Sequence, residues 1–203
     1  MIRETFEQAR QNLELVLRSD YLAGVERAAD LLAEAFHSGR KLLVFGNGGS
    51  AADAQHISGE LVGRFLRERA GLPAIALAAN PAVLTAWSND YSFETVFARQ
   101  IEALGVAGDV AWGISTSGNS PNVLRALETA SRLGLRTIGL AGEGGGRMAR
   151  WCEVLMAAPA RETPRIQEIH LVSFHAICQF VEERLFERLS ASCEESTAAL
   201  TAV

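Results

Sequence analysis

The sequence predicts a single α/β domain of three layers, in which a doubly wound, parallel, five-stranded sheet lies between helices. Three observations predict it. Short apolar runs rich in β-branched residues, at 41–45, 73–77, 109–115, 136–140 and 153–157, have the length and character of buried strands. Between them lie longer stretches with helical periodicity, such as 51–65, 93–104 and 122–133, so strand and helix alternate as they do when helices cover both faces of a parallel sheet. The 203 residues suffice to bury roughly 70% of the unfolded surface in one core, and no repeat or low-complexity linker divides them. Residues 1–203 therefore read as one domain.

The elements follow in order. In 1–38, Phe6, Leu13, Val16 and Leu17, then Val25, Ala28, Leu32 and Phe36, recur at helical spacing and predict two helices with a break near 20–24. Their apolar faces exceed what a small sheet can cover, so these helices are expected to serve in oligomerisation. The first strand runs into Gly46-Asn47-Gly48-Gly49-Ser50, and a helix begins at Ala51. Glycines allow positive φ and close approach, and free N–H groups at a helix start favour an anion, so the loop is a candidate phosphate cradle. A plain tight turn would use the same glycines. The loop also fits G-x-G-x-x-A, a dinucleotide fingerprint, but the second strand ends in Ala78-Ala79-Asn80 without the acidic residue that grips a ribose. A dehydrogenase is disfavoured.

The third strand ends in Ser115-Thr116-Ser117-Gly118-Asn119-Ser120, four hydroxyls around a glycine ahead of the next helix. In an open parallel sheet this loop and the first belong to the same edge, where ligands bind. A serine-rich N-cap and turn is the alternative for this loop taken alone. After the fourth and fifth strands a helix is predicted over 164–189, with Pro164 in its first turn, and 190–203 are expected to fray.

Two helices carry candidate chemistry. His56 and Glu60 stand at i and i+4 on one face, where they could bind a divalent metal, supply a base, or simply hydrogen-bond to each other. The last helix carries Gln167, Glu168, His170 and His175, polar groups that need partners wherever they are buried. Periodicity does not decide whether Gln167 or Glu168 points with His175.

Composition narrows the function classes. Hydrophobic residues form 48% of the chain, charged residues 21%, and the net charge is −5, which suits a folded domain and disfavours direct nucleic-acid binding. Cys152, Cys178 and Cys193 form no paired pattern, so reduced thiols in the cytoplasm are expected. The N-terminus lacks signal-peptide features, and no run approaches the roughly eighteen apolar residues of a membrane span, so a soluble protein is expected.

At Gly46-Asn47-Gly48-Gly49-Ser50-Ala51-Ala52-Asp53-Ala54-Gln55-His56, at 60–65, at Ser88-Asn89-Asp90, at 114–120 and at Arg165-Ile166-Gln167-Glu168-Ile169-His170, the chain resembles phosphoheptose isomerases over nearly its whole length. The resemblance implies the sugar-isomerase (SIS) fold and a homotetramer with sites where subunits meet. It also implies interconversion of sedoheptulose 7-phosphate and D-glycero-D-manno-heptose 7-phosphate, an early step toward nucleotide-activated heptose. Residue by residue, it implies that Asn47, Gly48, Gly49, Asn89 and Asp90 contact the sugar and that Ser115, Thr116, Ser117 and Ser120 hold the phosphate. Glu60 and His175 match the catalytic pair, and His56, Glu60, Gln167 and His175 match a zinc site of one ion per subunit. Gln167 and Glu60 also belong to the substrate contacts. Pro164 stands where some members have an aspartate. A close relative is a non-catalytic adaptor that binds the replication initiator protein; it lacks the glutamate matching Glu60, so Glu60 favours the enzyme. A sugar-phosphate sensor is a third reading.

Overall fold

The structure, a computed structural model, describes the backbone of residues 1–200 and the side chains of residues 1–186. The strands are β1 (Leu42–Gly46), β2 (Ala74–Ala76), β3 (Val110–Ser115), β4 (Arg136–Ala141) and β5 (Val154–Ala157). They form one parallel sheet in the order β2-β1-β3-β4-β5. Each matches an expected apolar run to within a residue at either end.

The helices are α1 (Ile2–Leu17), α2 (Tyr21–His37), α3 (Gly49–Val62), α4 (Pro81–Asp90), α5 (Val96–Leu104), α6 (Pro121–Arg132) and α7 (Thr163–Leu200). Alternate side chains of each strand enter opposite cores, as the pleat requires. Leu42, Val44, Trp112 and Ile138 pack with α2, α3 and α7 on one face, while Leu43, Phe45 and Ala111 pack with α5 and α6 on the other. Three layers result. Side chains from Ser190 onward, where fraying was expected, lie outside those described.

The expected break between the first two helices falls at Arg18 to Asp20, where the backbone N–H groups of Arg18 and Ser19 still donate to Leu15 and Val16 carbonyls. In α1 only Val16 is buried; Ile2, Phe6 and Leu17 are 77%, 74% and 69% exposed. This helix touches the rest of the chain lightly, with the Arg165 guanidinium donating to the Thr5 carbonyl. The unexpected helix is α4. Its start nonetheless follows capping chemistry: the Asn80 side chain accepts from the N–H groups of Ala82 and Val83, and Pro81 occupies the first turn. Among the described residues no helix is long and apolar enough to cross a membrane.

Candidate active site

From β1 the chain crosses to β2 on one side, and from β3 to β4 on the other, so β1 and β3 flank the switch point of the sheet. Ligands bind there in open α/β sheets, outside the carboxyl ends of the strands. Both polar loops open on this crevice. In the first, Gly48 has a φ of 55°, which a side chain would strain, and α3 begins directly at Gly49. The helix therefore presents its first N–H groups to the crevice. In the second, Gly118 has a φ of 62° and donates its N–H to the Ser115 carbonyl. That turn gathers the hydroxyls: Ser115 Oγ lies 2.9 Å from Ser120 Oγ and 3.4 Å from Ser117 Oγ. Thr116 joins the loop through its carbonyl, which accepts from the Gly142 N–H.

A reciprocal amide pair links the two loops. Asn47 Nδ2 donates to Asn122 Oδ1, and Asn122 Nδ2 donates to Asn47 Oδ1, each at 2.8 Å. Asn122 is buried in the first turn of α6. Its position beside Ser120 at the helix start was a signal available in the sequence.

Two turns into α3 stands a second cluster. His56 Nε2 lies 3.0 Å from Glu60 Oε1 and 3.4 Å from His175 Nε2 on α7. One donor atom from each residue falls within 4.8 Å of the others. Phe65 and Phe174 pack against the His175 ring. The His175 pKa is held below its ordinary value, first by burial and then by His56, with Glu60 opposing. Two imidazole nitrogens facing one another beside a carboxylate oxygen form a donor set of the kind that binds zinc and leaves a position open.

Gln167 also lies on α7. It precedes His175 by eight residues, about 12 Å along the helix, and lies against the first loop, so close that a Cβ on Gly49 would sit 2.3 Å from its Nε2. Glu168 points elsewhere and pairs with Arg165. Helices α3 and α7 thus run in the same direction, Gly49 beside Gln167 and His56 beside His175. Asn89 and Asp90, at the exposed end of α4, pair with each other at 2.8 Å. Among the described residues no hydrogen bond joins them to either loop or to the cluster.

Three further polar side chains of α7 have partners inside the chain. His170 faces the Ala141 carbonyl at 3.1 Å, and burial pushes its pKa down to about 4. Ser173 Oγ meets the Tyr21 hydroxyl at 2.8 Å. Glu182, 1% exposed, accepts from the backbone N–H groups of Phe65, Leu66 and Arg67 and from Arg69 Nε, at 2.8 to 3.0 Å. Burial alone would raise the Glu182 pKa, but those donors outweigh it and hold it below the ordinary value.

Relatives carry the same architecture. The SIS domain family matches residues 6–142. The phosphoheptose isomerase of Crocosphaera subtropica is 55% identical over 176 residues, 87% of this chain and 90% of the relative. That of Synechocystis sp. is 50% identical over 187 residues, covering 92% and 96%. The solved structure of the phosphoheptose isomerase from Neisseria gonorrhoeae superposes with a TM-score of 0.84 at 38% identity, covering 90% of this chain and 97% of that one. With the switch-point crevice and the His56, Glu60, His175 cluster in place, these matches show that the chain belongs to the SIS-domain family, as one of the phosphoheptose isomerases.

Proposed function

We infer that this protein is an aldose-ketose isomerase that interconverts sedoheptulose 7-phosphate and D-glycero-D-manno-heptose 7-phosphate, early in heptose biosynthesis. The observation that carries the reading is the convergence of His56, Glu60 and His175 two helical turns below the switch-point crevice on which both polar loops open. A seven-carbon sugar 7-phosphate holds its anion and its carbonyl at opposite ends. The Asn47–Asn122 pair holds the first loop beside the serine loop, and Gly49 and His56 are about 10 Å apart along α3, which leaves length for such a substrate between the serines and the cluster.

Moving the carbonyl between C2 and C1 takes a proton from one carbon and returns it to its neighbour through an enediol. In this reading Glu60 takes and returns the carbon-bound proton, and His175 handles the proton between the two sugar oxygens. Ser115, Thr116, Ser117 and Ser120 hold the phosphate, while Asn47, Gly48, Gly49 and Gln167 orient the sugar. Asn89 and Asp90 complete the sugar contacts once substrate or another subunit bridges the gap to them. A zinc ion held by His56, Glu60 and His175 would supply Lewis acidity at the carbonyl oxygen. Gln167, whose amide lies against the first loop, would complete the ligand set that the resemblance implies. We further propose a cytoplasmic homotetramer assembled through the N-terminal helices. A purely adaptor role, or that of a sensor, would leave Glu60 and both histidines without a task.

The test is direct. Purified protein incubated with sedoheptulose 7-phosphate should yield aldoheptose phosphate, seen by NMR, and sedoheptulose without phosphate should react far more slowly. No product from the phosphate would overturn the reading, and equal rates would overturn the placement of the phosphate loop.

A further inference from the structure

Beyond the cluster, α3 ends in a loop whose organisation depends on one buried ion pair. Arg69 and Glu182 are 0% and 1% exposed at their side chains and meet at 2.8 Å. The Glu182 carboxylate accepts three consecutive backbone N–H groups, Phe65 to Arg67, besides the guanidinium. On its other edge Arg69 donates to the carbonyls of Glu60 and Leu61, both at 2.8 Å, and to those of Gly63 and Ala70. The last carbonyls of a helix lack partners within it, and here one guanidinium supplies them. Both charges are saturated.

Two connections lead from this pair to the chemistry. Arg69 holds the main chain of Glu60 itself. Glu182 follows His175 by seven residues, which brings it back to the same face of α7 two turns on. The pair therefore joins the residue that carries one proton-handling group to the helix that carries the other. Stability alone gives no reason for it, because a buried ion pair is often no more stabilising than apolar side chains of similar volume. An apolar substitute would fill the space, but it could not hold four carbonyls and three N–H groups in one register.

We propose that Arg69 and Glu182 are positioning residues that set the separation between the Glu60 carboxylate and the His175 ring. The role rests on the reading of Glu60 and His175 as the proton-handling pair. Neither residue touches substrate. Their effect is confined to the far end of α3 from the Gly48 and Ser117 loops, so loss of position should slow the chemistry without weakening the grip on the sugar phosphate.

The experiment compares Glu182→Asp, which withdraws the charge by one methylene, and Arg69→Lys, which keeps the charge without the fork, with Leu32→Ala, a core truncation in α2. Melting temperature, kcat and KM for sedoheptulose 7-phosphate are measured on the full chain, with Glu60→Gln alongside. The expected result is a fall in kcat of about tenfold or more in both conservative variants with KM within about twofold, whereas Leu32→Ala loses melting temperature and keeps its kcat. Unchanged kcat in folded Glu182→Asp and Arg69→Lys, or an equal fall in Leu32→Ala, would overturn the role. So would failure of both conservative variants to fold, since the pair would then hold the fold and not the site. Turnover surviving in Glu60→Gln would instead overturn the reading of the catalytic pair.

Discussion

Asn47 and Asn122 face each other across the switch point with both amides doubly bonded, 2.8 Å each way, so the loop after β1 and the helix after β3 are held as one unit. Asn122→Ala leaves the half-buried Asn47 amide without its partner, a loss toward the lower end of the roughly 1–3 kcal/mol for a buried group. Because this pair belongs to the binding end of the site, KM for the sugar phosphate should rise roughly 5- to 10-fold, with a smaller effect on kcat. Steady-state kinetics check it, and an unchanged KM would show that each loop holds its shape alone.

Glu60→Gln keeps the size of the side chain and removes its basicity. Turnover should fall roughly 10²- to 10⁴-fold, the usual worth of a general base, while calorimetry still detects substrate binding. If the cluster also holds zinc, chelation should remove activity and added zinc restore it. Full activity in a rigorously metal-free sample would show that Glu60 and His175 act without an ion.

The exposure of Ile2, Phe6 and Leu17 on α1 calls for a cover. Deleting residues 1–19 should break the assembly, because few contacts hold this helix to its own chain. Sedimentation reads the outcome: a truncated protein that remains a tetramer excludes α1 as the assembly surface.

His170 links stability to pH. Its ring is neutral in the fold, with a pKa near 4 against an ordinary value of about 6.5, so the unfolded chain takes up the proton first. The contribution is complete above about pH 6.5 and is lost as pH falls toward 4, by about 3 kcal/mol in all. Urea unfolding of the wild type and of His170→Gln at pH 7 and pH 4.5 measures it: the variant should lose less stability on acidification, and parallel losses would assign the effect to other groups.

Much of this was legible in the sequence because it is local. Strand runs such as 109–115 announce themselves by composition, and the Gly48 and Ser117 loops by their place between a strand and a helix. His56 and Glu60 share a face by spacing alone. The meeting of His56 with His175 is a tertiary contact across 119 positions, and only the family resemblance pointed to it. Gln167 was likewise brought to the first loop by tertiary packing, which the helical spacing of α7 alone does not reveal. The start of α4 was readable from Asn80-Pro81 but lay in a stretch whose hydrophobic pattern is weak. Arg69 looked like one more arginine in a charged loop, and Glu182 like one more charge in the Glu182-Glu183-Arg184 run, so their pairing across 113 positions is a tertiary fact.

Since α3 and α7 lie side by side in the same direction, α7 serves as a ruler with three marks: Gln167 at the first loop, His175 at the cluster, Glu182 at the loop beyond. Inserting one residue between the first and second marks would turn everything after it by about 100° and advance it about 1.5 Å. The Gly49 contact would survive and the other two would break together. Substituting the exposed Leu171 or Val172 between those marks alters one side chain and no spacing. In variants of this protein, the stretch from 167 to 182 should therefore accept changes of letter at its exposed positions and no change of length.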